Sequence, residues 1–323
     1  MSEKKLLVIG GGPGGYTAAF LAADLGMKVT LVDANPSPGG VCLHRGCIPS
    51  KALLHVAKLI TETKQAKQWG IEFPEPIIHL DKLRDWKNKV VSKMAGGLTM
   101  LTKKRGIRHV TGRAVFNNSN SVIVDQNENI EFDYAIVATG SSPIMENTFG
   151  PAHPLIMDST SALNIEDIPN RFLIIGGGYI GLEMGSFYSA LGSKVTVVEM
   201  TDGLMKGIDR DLVRPLYLKL RRSFEKIYLN TKVVSLKVNN NHVETVFEGE
   251  ADPSEQKFDR VLISIGRKPN SFGLGLENTK VKLDTQGFIK ADSFKKTNDP
   301  SIYAIGDVIG GAMLAHKASK EAK

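Results

Sequence analysis

An ungapped internal repeat constrains this chain more than any other feature of its sequence. Residues 6–33 realign on residues 172–199 at a constant offset of 166, keeping Gly10, Gly11, Gly12, Gly15, Leu25, Gly26 and the Lys28-Val29-Thr30 triplet. In each copy an apolar stretch (6–9; 172–175) enters a Gly-rich turn. A helix-length segment follows and ends at Leu-Gly, and a β-branched run then ends in an acid. That order is strand, turn, helix, strand.

A second pairing supports the first. Residues 135–143 (AIVATGSSP) and 261–269 (VLISIGRKP) each read as a buried strand ending in glycine, followed by a proline turn, and each is expected to close its module's sheet. The fold class implied is α/β: two Rossmann-like dinucleotide-binding domains, each with a parallel sheet plus an antiparallel hairpin insertion. The hairpins are expected in the alternating stretches after Ile107 and after Ile227, with turns at 126–129 and 239–241. Residues 141–171, with Pro143, Pro151, Pro154 and Pro169 among many Ser and Asn, suit a domain linker. Helical spacing covers 50–67 and 80–101. The second places Leu83, Trp86, Val90, Met94, Leu98 and Leu101 three or four apart, a stripe expected to face the core. Residues 312–323 begin a helical pattern and end without a stop signal or a partner element, so further sequence is expected downstream.

The two glycine turns are the first candidate sites. Gly10-x-Gly12-x-x-Gly15 and Gly176-x-Gly178-x-x-Gly181 each lie between a strand and a helix, with an acid 18 residues beyond the last glycine. The first glycine permits the tight turn, the second lets backbone approach a pyrophosphate, and the third brings helix against strand, while the helix N-terminus favours the negative charge. Asp33 and Glu199 would accept hydrogen bonds from ribose hydroxyls. Two different dinucleotides are therefore expected. Glu199 repels a 2′-phosphate and residues 200–205 offer no arginine to bind one, so the second site favours NAD over NADP.

Composition adds exclusions. A chain of 323 residues with 42% hydrophobic and 23% charged residues can bury two cores, and is neither disordered nor disulfide-stapled. A net charge of +7 does not indicate nucleic acid, and the basic stretch 103–109, the one place to test for it by salt dependence, lacks interleaved aromatics. No apolar run approaches the roughly 18 residues that span a bilayer. The N-terminus, charged at Glu3, Lys4 and Lys5, reaches only four apolar residues before glycine, too few for a secretory signal; a cytoplasmic protein is expected.

The two cysteines, Cys42 and Cys47, are five residues apart in GGVCLHRGCIPSKALLH (39–55). Cys47 precedes Pro49 and Ser50, where a helix starts, so the helix dipole would stabilise a thiolate there. Three readings stand: a zinc site recruiting His44 or His55, two inert thiols, or a redox disulfide accepting electrons between cofactors and substrate.

The residues from Leu6 onward, and above all G-G-x-C-x4-C-I-P-S-K-A-L-L, resemble the pyridine nucleotide-disulfide oxidoreductases, and most closely the branch that oxidises dihydrolipoamide. The resemblance implies FAD in the first dinucleotide site, NAD in the second and a Cys42–Cys47 redox disulfide against the flavin, with Cys47 nearest the ring and Cys42 exchanging with substrate. Lys51 matches the family lysine near flavin N5 and Glu183 its acidic partner. The implied FAD contacts are Gly10, Gly12, Gly14, Gly15, Asp33, Gly40, Lys51, Ala114, Thr139, Gly140, Asp307 and Ala315. The implied NAD contacts are Gly176, Gly178, Tyr179, Gly181, Glu199, Val233, Gly266 and Arg267. No metal is implied.

The matching domains are 1–142 (FAD-binding, first part), 143–270 (NAD-binding) and 271–323 (return to the FAD-binding domain). The family's C-terminal interface domain, with its His-Glu acid-base pair and homodimer contact, has no match in these residues, and His316 does not replace it. Asp33 stands where a Glu is usual, and Tyr179 where many lipoamide enzymes have an aliphatic residue. The implied partner is dihydrolipoamide or a lipoyl-bearing protein of a 2-oxoacid dehydrogenase or glycine cleavage complex. The implied activity of these residues alone is FAD and NAD binding with NADH-to-dye electron transfer. A related disulfide or mercuric reductase, or a silent flavin-binding module, are the alternatives.

Overall fold

The computed structural model describes residues 4–145, 149 and 153–323; Glu3 and Pro151 lie outside them. The chain begins β1 (Lys5–Ile9), α1 (Pro13–Asp24), β2 (Lys28–Asp33), α2 (Gly40–Arg45), α3 (Cys47–Gln65), α4 (Leu80–Lys104), β3 (Arg108–Thr111), β4 (Ala114–Asn118), β5 (Ser121–Val124), β6 (Glu128–Glu131), β7 (Tyr134–Val137) and β8 (Ser141–Pro143). It continues β9 (Ile156–Met157), α5 (Ser159–Ala162), β10 (Arg171–Ile175), α6 (Tyr179–Ala190), β11 (Lys194–Val198), α7 (Arg210–Ser223), β12 (Lys226–Tyr228), β13 (Lys232–Asn239), β14 (His242–Glu248) and β15 (Glu255–Phe258). Last come β16 (Arg260–Ile263), β17 (Arg267–Pro269), β18 (Ile302–Ala304) and α8 (Ala315–Glu321).

Two compact units result. The first holds residues 1–44, 91–142 and 267–323; the second holds 45–90 and 143–266. Each is built on a five-stranded sheet, ordered β18-β7-β1-β2-β3 in the first and β12-β11-β10-β16-β9 in the second. The strand pairs are parallel throughout, with Lys5 opposite Lys28 and Arg171 opposite Lys194, the same pairing at the repeat's offset. Both faces of these sheets are covered, which explains the unbroken apolar runs. In the first unit Leu6, Val8 and Leu31 pack with Ala19 and Ala22 of α1, while Leu7, Ile9 and Val137 pack with Phe116 and Val122 of the β4-β5-β6 hairpin sheet. In the second, Phe172 and Ile174 meet Phe187 and Tyr188 of α6 and Leu53, Ala57 and Ile60 of α3. Leu173 and Ile175 meet Val243, Phe247 and Phe258 of the β13-β14-β15 sheet.

Several expectations need correction. β7 and β16 do not close their sheets, because β18 and β9 pair outside them. Residues 141–171 are not a mere linker: Ile156 and Met157 form the edge strand β9, and Asp158 caps α5 through the backbone N–H groups of Thr160 and Ser161, because buried apolar residues lie between the prolines. The α4 stripe is exposed at Trp86 and Met94; the buried positions are Lys87, Ala95 and Thr102, where small side chains and a lysine stem allow close approach. Finally, α8 has a partner: it packs on α1, where a Cβ at Gly14 would stand 3.3 Å from that of Ala318. The hairpins lie where expected, turning at Asp125 and Gln126 and at Asn240, all with positive φ.

Candidate active site

In the first unit the chain runs from β1 through Gly10 into α1, whose N-cap is Gly12. Gly10 has φ of +104°, and a Cβ there would stand 2.3 Å from Ala138 O; a Cβ on Gly15 would stand 1.7 Å from Gly10 O. Both are therefore compelled by close backbone approach. At Gly12 the nearest atom is Gly40 Cα at 4.0 Å, so this glycine borders open space beside the helix N-terminus. The loop lies where β7 is added to the opposite side of β1 from β2, the switch point at which such sheets bind ligands.

The second unit repeats the design. A Cβ on Gly176 (φ +107°) would meet Ser264 O at 2.4 Å and one on Gly181 would meet Gly176 O at 2.6 Å, while nothing lies within 4 Å of Gly178. These two cradles, each a backbone surface that a side chain would fill, fit dinucleotide pyrophosphates.

The acids after each loop brace it. Asp33 Oδ2 accepts from Gly11 N at 2.5 Å, and its Oδ1 accepts from Asn35 N and Nδ2 at 2.6 and 2.7 Å. Glu199 Oε2 accepts from Gly177 N at 2.7 Å, and Oε1 from Thr201 N and Oγ1 at 2.9 and 2.8 Å. Each carboxylate thus ties the end of its strand to its glycine turn and keeps lone pairs for a ribose. His109 on β3, opposite Leu31, was not foreseen. Its Nε2 is buried without a partner among the described residues, and burial lowers its pKa while the Asp33 charge pulls it the other way.

The thiol region straddles two helices. Cys42 lies in α2 and Cys47 is the first residue of α3, with Gly46 alone between the helices; both are half-buried. The helix starts three residues earlier than its spacing suggested and places Cys47 directly at its positive end. The same N-terminal stretch carries Ser50 and Lys51. Lys51 Nζ donates to Glu183 Oε1 and Oε2 at 2.7 and 3.0 Å, and Ser50 Oγ lies 3.2 Å from both Glu183 Oε2 and Cys47 O. His44 Nε2 lies 3.2 Å from Ser37 O. Among the described residues no three His, Cys, Asp or Glu gather as a metal site.

The first unit gathers a further cluster. Thr139 and Gly140 lead into β8, and Asp307 sits in the single turn 306–309 after β18. Asp307 Oδ2 accepts from Ser141 Oγ at 2.6 Å. Thr139 Oγ1 donates to Asn270 O and Asn270 Nδ2 to Thr139 O, at 2.7 and 2.9 Å. The cluster was invisible in the sequence, since Ser141 meets Asp307 and Arg267, and Thr139 meets Asn270, across separations of more than a hundred residues.

Residues 4–322 match the family described as pyridine nucleotide-disulphide oxidoreductase. The chain belongs to this family. A dihydrolipoyl dehydrogenase of Buchnera aphidicola is 44% identical over 99% of this chain and 68% of its own length, and one of Vibrio parahaemolyticus 43% over 99% and 68%. Among solved structures, the HOCl-induced flavoprotein disulfide reductase RclA of Escherichia coli matches with TM-score 0.86 and 28% identity, over 98% of this chain and 69% of that one. LpdA of Mycobacterium tuberculosis shares the fold at TM-score 0.89 and 24% identity, over 99% of this chain and 71% of that one.

The remaining residues that the family resemblance points to are spread over both units. Gly40 (φ +58°) packs on Gly12, where its Cβ would stand 2.5 Å from Gly12 Cα, and Gly140 and Gly266 have φ of +72° and +139°. Ala114 and Val233 are buried, Tyr179 opens α6 with 42% of its surface exposed, and Ala315 opens α8. No helix among the described residues is long and apolar enough to cross a membrane.

Proposed function

We propose that this chain is the nucleotide-binding part of an FAD-containing, NAD-dependent disulfide oxidoreductase that oxidises dihydrolipoamide or lipoyl groups borne on a protein of a 2-oxoacid dehydrogenase or glycine cleavage complex. The observation that carries the reading is the N-terminal stretch of α3, which presents Cys47, Ser50 and Lys51 together and is tied to Glu183. The curated relatives of the same name support the choice of substrate.

In the oxidised enzyme Cys42 and Cys47 form a disulfide. One substrate thiolate attacks Cys42 Sγ; the Cys42–Cys47 bond breaks and Cys47 leaves as a thiolate at the positive end of α3. The second substrate thiolate attacks the substrate sulfur of the mixed disulfide and expels Cys42. The substrate dithiol is now a disulfide, and its electron pair rests on the two cysteines. FAD and NAD, when bound, supply the two-electron acceptance and hydride transfer that reoxidise this pair. Asp33, Gly12 and Asp307 would hold the first cofactor, and Glu199 and Gly178 the second. Lys51, fixed by Glu183, places a positive charge beside the thiolate. A cytoplasmic setting, in which two thiols can cycle, belongs to the same proposal.

Titration with one equivalent of NADH tests it. A long-wavelength thiolate–flavin band is expected, together with NADH-to-dye transfer and little lipoamide turnover from these 323 residues. A protein that stays colourless after reconstitution with FAD, or a spectrum that NADH leaves unchanged, would overturn the redox assignment in favour of a silent module.

A further inference from the structure

We propose that Arg267 is a positioning residue for the Asp307 carboxylate, acting through the Ser141 hydroxyl, and that it thereby sets how tightly the first unit holds its flavin nucleotide; the inference rests on the reading that Asp307 faces FAD. Arg267 Nε donates to Ser141 Oγ and its Nη2 to Ser141 O, both at 2.7 Å. Ser141 Oγ lies 2.6 Å from Asp307 Oδ2.

The direction of this chain is fixed by chemistry. A guanidinium has donors only, and a serine hydroxyl has one proton. Oγ must therefore accept from Arg267, which leaves its single proton for Asp307 Oδ2. Ser141 is 2% exposed, so the relay is shielded from water, where such bonds are stronger and a broken one costs more. With Oδ2 engaged in this way, Oδ1, which accepts no hydrogen bond from the described residues, is the oxygen left to receive a ligand hydroxyl.

The surroundings hold the backbone but not the carboxylate. Asn270 N donates to Gly140 O at 3.0 Å and Ser142 Oγ to Asn270 Oδ1 at 2.7 Å, which fixes the segment that carries Ser141. On the other flank Gly306 N donates to Glu321 Oε2 at 2.8 Å, and Lys317 Nζ donates to Gly306 O and Gly310 O at 3.1 and 2.7 Å, which fixes the turn that carries Asp307. The rotation of the carboxyl group within that frame is set by Ser141, and the orientation of Ser141 by Arg267. Two of the three guanidinium nitrogens are thus spent inside the first unit, although the sequence suggested a residue facing NAD.

The test compares FAD dissociation constants, measured by flavin fluorescence, for the wild type, Arg267→Met, Ser141→Ala, Ser141→Thr and the Arg267→Met/Ser141→Ala double variant. NADH affinity and the melting temperatures of the FAD-free and FAD-loaded forms are measured alongside. Each single loss is expected to weaken FAD about tenfold. The double variant is expected to be no weaker than either single one within about twofold, as members of one chain are non-additive. Ser141→Thr restores binding, NADH affinity stays unchanged, and the FAD-induced rise in melting temperature shrinks.

Additive losses would overturn the relay. So would weakened NADH binding with FAD affinity intact, or equal destabilisation of both forms with an unchanged FAD affinity. If Arg267→Met does not fold, Arg267→Gln, alone and combined with Ser141→Ala, carries the same comparison. A wild type that binds no FAD refutes the functional reading beneath, and not the relay alone.

Discussion

Lys51 Nζ makes a two-pronged contact with Glu183, 2.7 Å to Oε1 and 3.0 Å to Oε2, joining the N-terminal parts of α3 and α6. The lysine side chain is 58% exposed and the glutamate 26%, so the pair contributes less than about 1 kcal/mol to stability. Its value is in direction: it holds an ammonium one turn from Cys47. Glu183→Gln is expected to leave urea denaturation almost unchanged while slowing NADH reduction of the bound flavin at least about tenfold in stopped-flow measurements. An unaltered rate would reduce the pair to a surface tie.

The glycine turns separate folding from binding. Gly181→Ala places a methyl 2.6 Å from both Gly176 O and Ser264 Oγ, and should lower the melting temperature by forcing α6 from its sheet. Gly178→Ala meets no atom within 4 Å, and its φ of −81° suits alanine. That variant should melt like the wild type yet bind NADH about tenfold more weakly, because its methyl occupies the space a pyrophosphate needs. Calorimetric melts beside NADH titrations decide the matter. Equal NADH affinities would remove Gly178 from the binding surface.

Glu199 decides between nucleotides by charge. Both its oxygens already hold the loop, through Gly177 and Thr201, so it cannot swing away from an incoming 2′-phosphate. Glu199→Gln keeps the acceptor geometry at one oxygen and removes the negative charge. The ratio of NADPH to NADH affinity should rise about tenfold, mostly through relief of repulsion. Isothermal titration with both nucleotides provides the check, and an unchanged ratio would mean that discrimination lies elsewhere.

What could be read in advance followed from local pattern. The repeat predicted both parallel sheets because β1, β2, β10 and β11 are buried on both faces and read as continuous apolar runs. The edge strand β9 was harder: two residues long, it gives no periodicity of its own. The cysteine motif marked α3 correctly, but nothing local joins Ser141 to Asp307, 166 residues on, or to Arg267, 126 residues on. On α4 the apolar stripe misled. The covered face runs through Lys87, Ala95 and Thr102, and Trp86 and Met94 remain 39% and 47% exposed. Hydrophobicity alone does not identify a face whose burial depends on small residues and an aliphatic stem.

Lys87 makes that difference measurable. Only 5% exposed, it donates from Nζ to Leu163 O at 2.8 Å. Burial, and after it the neighbouring Arg84 charge, lowers its pKa from the usual 10.5. A base with a lowered folded-state pKa burdens the folded protein while it is charged in both states. As pH rises from the lowered value toward 10.5 the folded state sheds its proton before the unfolded chain does, and stability is regained. Lys87→Met keeps the stem and removes the titration. Urea unfolding at several pH values should therefore show the wild type gaining on the variant across that window and levelling above it. Parallel curves would mean that Lys87 titrates alike in both states, and that its burial imposes no charge penalty on the fold.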